Sequence, residues 1–188
     1  GSASNIIQFT FSAQRVQLRK HLQPSSPTPN QPITIQAAPD ASPILNGGGS
    51  INALRVTHPY YIITGLIITQ TKEGVRIENT HHVSLERNQI HHIKNECLRL
   101  RYQAHHNTIS GNILHDCGLD GNGEGIYIGT APEQRSKNQD QPDQSDFNLI
   151  NRNIIYNVTE GIDIKEDSSH KSLNRTKNLF CLTDSRDC

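Results

Sequence analysis

The sequence predicts an all-β chain wound as a right-handed parallel β-helix, a β-solenoid of about five coils. Three observations carry this expectation. A short frame of alternating apolar and polar residues recurs five times, and a second frame with Asn at a fixed place follows the middle copies. The composition of the 188 residues, with 22 Ile, 17 Asn and neither Met nor Trp, suits stacked strands and asparagine-rich corners better than helices.

The first frame reads Asn52-Ala53-Leu54-Arg55-Val56, Glu73-Gly74-Val75-Arg76-Ile77, Glu96-Cys97-Leu98-Arg99-Leu100, Glu124-Gly125-Ile126-Tyr127-Ile128 and Glu160-Gly161-Ile162-Asp163-Ile164. Its first aliphatic falls at 54, 75, 98, 126 and 162, so the steps are 21, 23, 28 and 36. Period-two alternation is that of a strand with one buried face, which places Val75, Ile77, Leu98, Leu100, Ile126, Ile128, Ile162 and Ile164 inside. The second frame centres on Asn88, Asn112 and Asn153, with Leu66 in the same slot one coil earlier. Each coil is then about three short strands, and Asn in one corner of successive coils stacks its amides in a ladder. A leucine-rich repeat would bring helical segments and a hexapeptide helix a six-residue step; neither is present.

In chain order, residues 1–32 are an irregular N-terminal segment whose stretch 21–32 holds four prolines and cannot be a ladder strand. Residues 33–167 are the solenoid. Residues 131–146 are polar, account for the longest step and form a loop from one corner. Residues 168–188 are a partial coil or cap.

Eighteen Lys and Arg offset eighteen Asp and Glu, so no global field draws the chain to nucleic acid or an anionic membrane, and neither is an expected partner. No apolar run approaches the ~18 residues of a membrane span, and the opening Gly-Ser-Ala-Ser has the look of a mature start. Four cysteines, Cys97, Cys117, Cys181 and Cys188, are an even set compatible with disulfides or with free thiols, and their pairing is open. Two sequons begin at Asn157 and Asn174.

Residues between the inward aliphatics point outward. One column reads Arg55, Arg76, Arg99, Tyr127, Asp163 and a second reads Thr57, Glu78, Arg101, Gly129, Lys165. Arg forks match carboxylates and an aromatic face stacks on a pyranose, so this strip suits a chain of carboxylate-bearing sugars; the plainer alternative is a solvated face whose Arg and Glu neutralise one another. Glu73, Glu96, Glu124 and Glu160 align at coil spacing and need either calcium or the neighbouring arginines. Asp116, Asp120 and Glu124, with Asp163, are a candidate calcium group of oxygen ligands. Rings align too: Tyr60, His82, His106 and Phe147 in one column, and His91, His115 and Tyr156 in another, where zinc would lack a third spaced ligand.

The stretches Pro32-Ile33-Thr34-Ile35-Gln36-Ala37, Gly123 to Gly129, Pro142-Asp143-Gln144-Ser145-Asp146-Phe147-Asn148 and Glu160 to Glu166 resemble the pectate-lyase-like right-handed β-helix superfamily, in particular its polysaccharide lyases and their uncharacterised relatives. The R-x-P-x-x-R segment of pectate lyases and the G-H-G of polygalacturonases are missing. The resemblance implies a secreted, polysaccharide-active protein, most simply a lyase cleaving a uronate-containing acidic polysaccharide by β-elimination. That reaction needs a neutralised C5 carboxylate, a base for the C5 proton and a donor for O4. Lys165 is the candidate base, Arg101 or Arg99 the carboxylate clamp and Tyr127 a stacking residue or donor, while Arg76, Arg99, Gly129 and Asp163 line the substrate. Glu166 and Asp167 are unfavourable neighbours for a basic amine. Gly129 either leaves a gap for a sugar ring under the 131–146 loop or only lets the chain turn out of the strand. The alternatives are a non-catalytic glycan-binding or structural surface module, and a glycoside hydrolase using Asp163 with Glu124 or Asp120.

Overall fold

Alternating aliphatic residues build three parallel sheets in the computed structural model, which describes residues 6–9, 13–14, 27–165 and 178–181. The first sheet holds β1 (Ile6–Phe9), β3 (Ile33–Ala37), β6 (Tyr61–Thr64), β9 (Ser84–Glu86), β12 (Thr108–Ser110) and β15 (Leu149–Asn151). The second holds β2 (Ala13–Gln14), β4 (Ile44–Asn46), β7 (Ile67–Thr71), β10 (Gln89–Ile93), β13 (Ile113–Cys117), β16 (Ile154–Tyr156) and β18 (Leu179–Cys181). The third holds β5 (Asn52–Val56), β8 (Glu73–Glu78), β11 (Leu98–Arg101), β14 (Glu124–Ile128) and β17 (Glu160–Ile164). The chain visits the sheets in rotation, which makes a β-solenoid of about four turns. Strands β1 and β2 join the sheets from within the segment expected to be irregular.

Each sheet contributes one inward column. Ile35, Ile63, Leu85, Ile109 and Ile150 are in register in the first. Leu45, Ile68, Ile90, Leu114 and Ile155 follow in the second, and Leu54, Val75, Leu98, Ile126 and Ile162 in the third. All are buried except Ile162. Each contributes roughly 1.5–3 kcal/mol of apolar burial. Ile162 and Ile164, expected inside, are only partly buried because they stand on the terminal strand of the third sheet and pack against one neighbouring strand of it.

The small residue of the repeated frame has a steric cause. A Cβ at Gly74 would come within 2.7 Å of Ile90 Cγ2, and one at Gly125 within 2.6 Å of Ile155 Cγ2. This slot is the tight corner between the second and third sheets. Cys97 occupies it in its coil and forms a disulfide with Cys117 at the end of β13, their Cα atoms 5.6 Å apart. Cys188 lies outside the described residues, as do the side chain of Cys181 and the sequon at Asn174.

The asparagine ladder runs through the corner before the second sheet. Asn88 Nδ2 donates to Asn112 Oδ1 at 3.1 Å, Asn112 to Asn153 at 3.0 Å and Asn153 to Asn178 at 3.1 Å. Each Oδ1 also accepts a backbone N–H from the preceding coil, so buried polar groups are satisfied along the whole stack. A second ladder, not read from the sequence, joins Asn107 to Asn148 at 3.0 Å in the corner before the first sheet.

Candidate active site

The outer face of the third sheet carries both outward columns in the expected register. Arg55, Arg76, Arg99, Tyr127 and Asp163 are successive partners, and Arg101 pairs with Glu78. Exposure corrects the expectation of an open strip. Arg99 and Arg101 are only 8% and 2% exposed, Tyr127 is buried, and Glu73, Glu78, Glu96 and Glu124 are buried beside them. The side chains pack on one another, and the segment after β14 meets them at Thr130, which takes Arg101, and at Ala131, which donates to Tyr127.

Charge pairing accounts for most of this burial. Glu73 takes Arg76 at 3.3 Å and Arg99 at 3.2 Å, Glu96 takes Arg99 at 3.5 Å, and Glu78 takes Arg76 at 2.6 Å and Arg55. The glutamate column is therefore neutralised by arginine over β5, β8 and β11. Arg101 is different: among the described residues no carboxylate pairs with it, and its polar partner is Thr130 Oγ1 at 3.3 Å. The buried Nε atoms of Arg99 and Arg101 have no hydrogen-bond partner.

Two tyrosines lie among these cations. The Arg101 guanidinium sits 4.1 Å and that of Arg76 5.7 Å from the centre of the Tyr102 ring. Arg99 lies 4.6 Å and Lys165 Nζ 5.1 Å from the centre of the Tyr127 ring. The Tyr127 hydroxyl accepts the Ala131 N–H at 3.2 Å, and burial pushes its pKa up. Only 5% exposed, Tyr127 has no open face to offer a pyranose.

Lys165 pairs with Asp163 and its side chain keeps 27% of its exposure. Burial acts to lower its pKa, but the hydrogen bond and charge of Asp163 outweigh it, and the net shift is upward. This favours the ammonium, the form that donates a proton. Glu166 and Asp167 lie outside the described residues. Gly129 is buried, with φ of 88°, and its N–H donates to Leu100 O at 2.8 Å. It is a turn out of the strand into the following loop, in place of an open gap.

That loop is only partly the polar excursion expected for residues 131–146. It begins as a 3-10 helix, Pro132–Asn138, and then tucks inward, burying Asp143, Ser145, Asp146 and Asn148. Asp143, 1% exposed, accepts the backbone N–H groups of Tyr102 at 2.7 Å and Gln103 at 2.9 Å and the hydroxyls of Ser145 and Thr130. Thr130 in turn receives Arg101. Of these residues only Asp143 has a sequence signal, the P-D-x-S-D-x-N stretch; Tyr102 and Thr130 have none.

The oxygen-ligand group also differs from expectation. Asp116 lies on the second sheet, bonded to His115 Nδ1 at 2.7 Å and to Asn157, and Asp120 is exposed in the turn after β13. Neither joins Glu124. The third carboxylate is Glu160: oxygens of Glu124, Glu160 and Asp163 lie within 4.8 Å of one another. Burial and then the charges of Glu96 and Asp163 raise the pKa of Glu124. Arginine pairing thus gives out where β14 meets β17, and three carboxylates gather there, one of which, Asp163, pairs with Lys165.

No protein-family model matches the chain, and no curated protein matches it in sequence. Among solved structures it is similar to the crystal structure of an alginate lyase from Paenibacillus sp. str. FPU-7, at 25% sequence identity and a TM-score of 0.58, over 89% of this chain and 51% of that one. The chain spans about half the length of that structure. The likeness supports a β-helix fold of the polysaccharide-lyase kind.

Proposed function

We propose that the outer face of the third sheet binds a uronate-containing acidic polysaccharide and cleaves it by β-elimination. The observation that carries this reading is Arg101: a guanidinium without a carboxylate partner among the described residues, set among Arg76, Arg99 and Tyr102. A substrate carboxylate supplies the missing counter-charge, and the same field stabilises the enolate formed when the C5 proton leaves. Likeness to an alginate lyase supports the acidic substrate and the reaction class.

Lys165, kept as an ammonium by Asp163, is assigned as the donor to the leaving O4. The C5 proton goes to the Tyr102 oxygen, as a phenolate whose own hydroxyl proton has first passed to solvent, because the Tyr127 hydroxyl is engaged by the loop and Glu73, Glu78 and Glu96 are tied to arginine. Glu124, Glu160 and Asp163 are the residues that would hold a calcium ion, whose hard oxygen preference they match. Secretion is part of the reading: the substrate class is extracellular and the Cys97–Cys117 disulfide persists in an oxidising compartment. The right-handed winding is the sense that parallel crossovers overwhelmingly take.

A second reading, a glycan-binding module without turnover, is favoured by the closure of the strip through Arg–Glu pairs and by the burial of Arg101. Incubation with a panel of uronate polysaccharides separates the readings. Growth of ultraviolet absorbance from an unsaturated product supports the lyase. New reducing ends without that absorbance point to hydrolysis, and retention on the polymer without either product points to the binding module.

A further inference from the structure

The corner between the third and first sheets carries four histidines in two vicinal pairs, His81/His82 and His105/His106, at the same place in successive coils. The second residue of each pair is left-handed, with φ of 53° at His82 and 54° at His106. In an extended chain neighbouring side chains point to opposite faces. Here the two rings meet edge to face, 4.9 Å apart in the first pair and 5.1 Å in the second. Their Nδ1 atoms stand 2.7 Å and 2.9 Å apart. The pairs stack on each other, His81 on His105 at 5.3 Å and His82 on His106 at 5.6 Å, with planes within 13° and 8° of parallel.

Ring stacking explains one of these columns but not the other. Tyr60 and Phe147 continue the His82–His106 column on either side, so any flat ring serves there. The preceding positions are Pro59 and Asp146 in the flanking coils, and a second imidazole at His81 and His105 adds nothing that stacking requires. It does create a chelate. Two nitrogens bound at right angles to one ion at ~2.0–2.1 Å stand ~2.9 Å apart, against ~3.4 Å at the tetrahedral angle of zinc.

We propose that the His81/His82 and His105/His106 pairs each chelate a tetragonal divalent transition ion, copper(II) or nickel(II), through both Nδ1 atoms. Without metal the two rings share one Nδ1 proton; on binding, that proton moves to Nε2, so both Nδ1 lone pairs face the ion and no net proton is lost. Asp146 places negative charge beside His105. Among the described residues no third side chain converges on either pair, so water completes the coordination and the ion exchanges.

The test is copper(II) titration of the full chain, followed by calorimetry and by electron paramagnetic resonance. The expected result is two ions in this corner, each with hyperfine coupling to two imidazole nitrogens. The double variant His82→Asn/His106→Asn, which keeps residues suited to a left-handed backbone, should weaken binding at least ~10-fold with an unchanged melting temperature. A His91→Ala/His92→Ala protein, which removes the like pair on the second sheet with its Nδ1 atoms 2.6 Å apart, should keep both ions of this corner. Copper binding unchanged in His82→Asn/His106→Asn, or a spectrum without imidazole coupling, overturns the proposal.

Discussion

At Lys165 two effects oppose each other: burial disfavours the ammonium, and the Asp163 carboxylate favours it and wins. An amine held this way serves as a donor. Lys165→Ala should lower kcat by roughly 100-fold or more with substrate retention largely kept, read by single-turnover kinetics and affinity electrophoresis. Asp163→Asn should move the alkaline limb of the pH–rate profile to lower pH, because the amine loses the carboxylate that raises its pKa. Asp116 shows the reverse balance. Burial raises its pKa, but hydrogen bonds from His115 and Asn157 outweigh it and the net shift is downward. Its stabilising contribution is complete above the ordinary carboxylate pKa and is lost as pH falls through the depressed folded value. Asn157→Ala should therefore move the acid-unfolding midpoint, followed by circular dichroism, to higher pH.

The element that decides access to the strip is the segment from Gly129 to Asn148. Gly129 adopts φ of 88°, a conformation unfavourable for side chains, and starts the excursion. Gly129→Leu should cost about 1–2 kcal/mol in urea unfolding for the backbone alone. The far end is held by Asp143, whose carboxylate gathers two backbone N–H groups and two hydroxyls. Removing one buried partner leaves several donors unsatisfied, so Asp143→Ala should cost about 3 kcal/mol or more. Limited proteolysis should then cut first near 131–146 while the sheets stay folded. Because Asp143 also fixes the backbone of Tyr102 over Arg101, turnover should fall together with loop order.

Over the whole molecule, stability is shared between neighbouring coils, as in any solenoid. Asn112 sits mid-ladder, fully buried, bonded to Asn88, Asn153 and the Leu85 carbonyl. Asn112→Ala should cost about 3 kcal/mol, and Asn178→Ala, at the ladder's end and half-buried, clearly less, by denaturant unfolding. The disulfide crosses from one coil to the next with a sequence separation of 20. Its reduction should lower stability by about 3 kcal/mol, read as a drop in melting temperature under reductant.

Features with a local cause were legible in the sequence. The inward aliphatics of the third sheet follow from period-two alternation, the ladder through Asn88, Asn112 and Asn153 from an amide at constant offset, and the glycines at 74 and 125 from a corner with no room there for a Cβ. Features set by which segments cover which were not. Arg101 reads as an outward cation, and only the inward tuck held by Asp143 shows that it is buried. Glu160 replaces Asp116 in the carboxylate group because Asp116 belongs to a different sheet of the same coil as Glu124. The pairing of Cys97 with Cys117 joins the third sheet's corner to the second sheet one coil on. The sequence by itself determined the solenoid, since alternation and coil spacing are written residue by residue along the chain. Only the tertiary structure decided the site, since exposure, charge partners and left-handed corners depend on chain segments far apart in sequence.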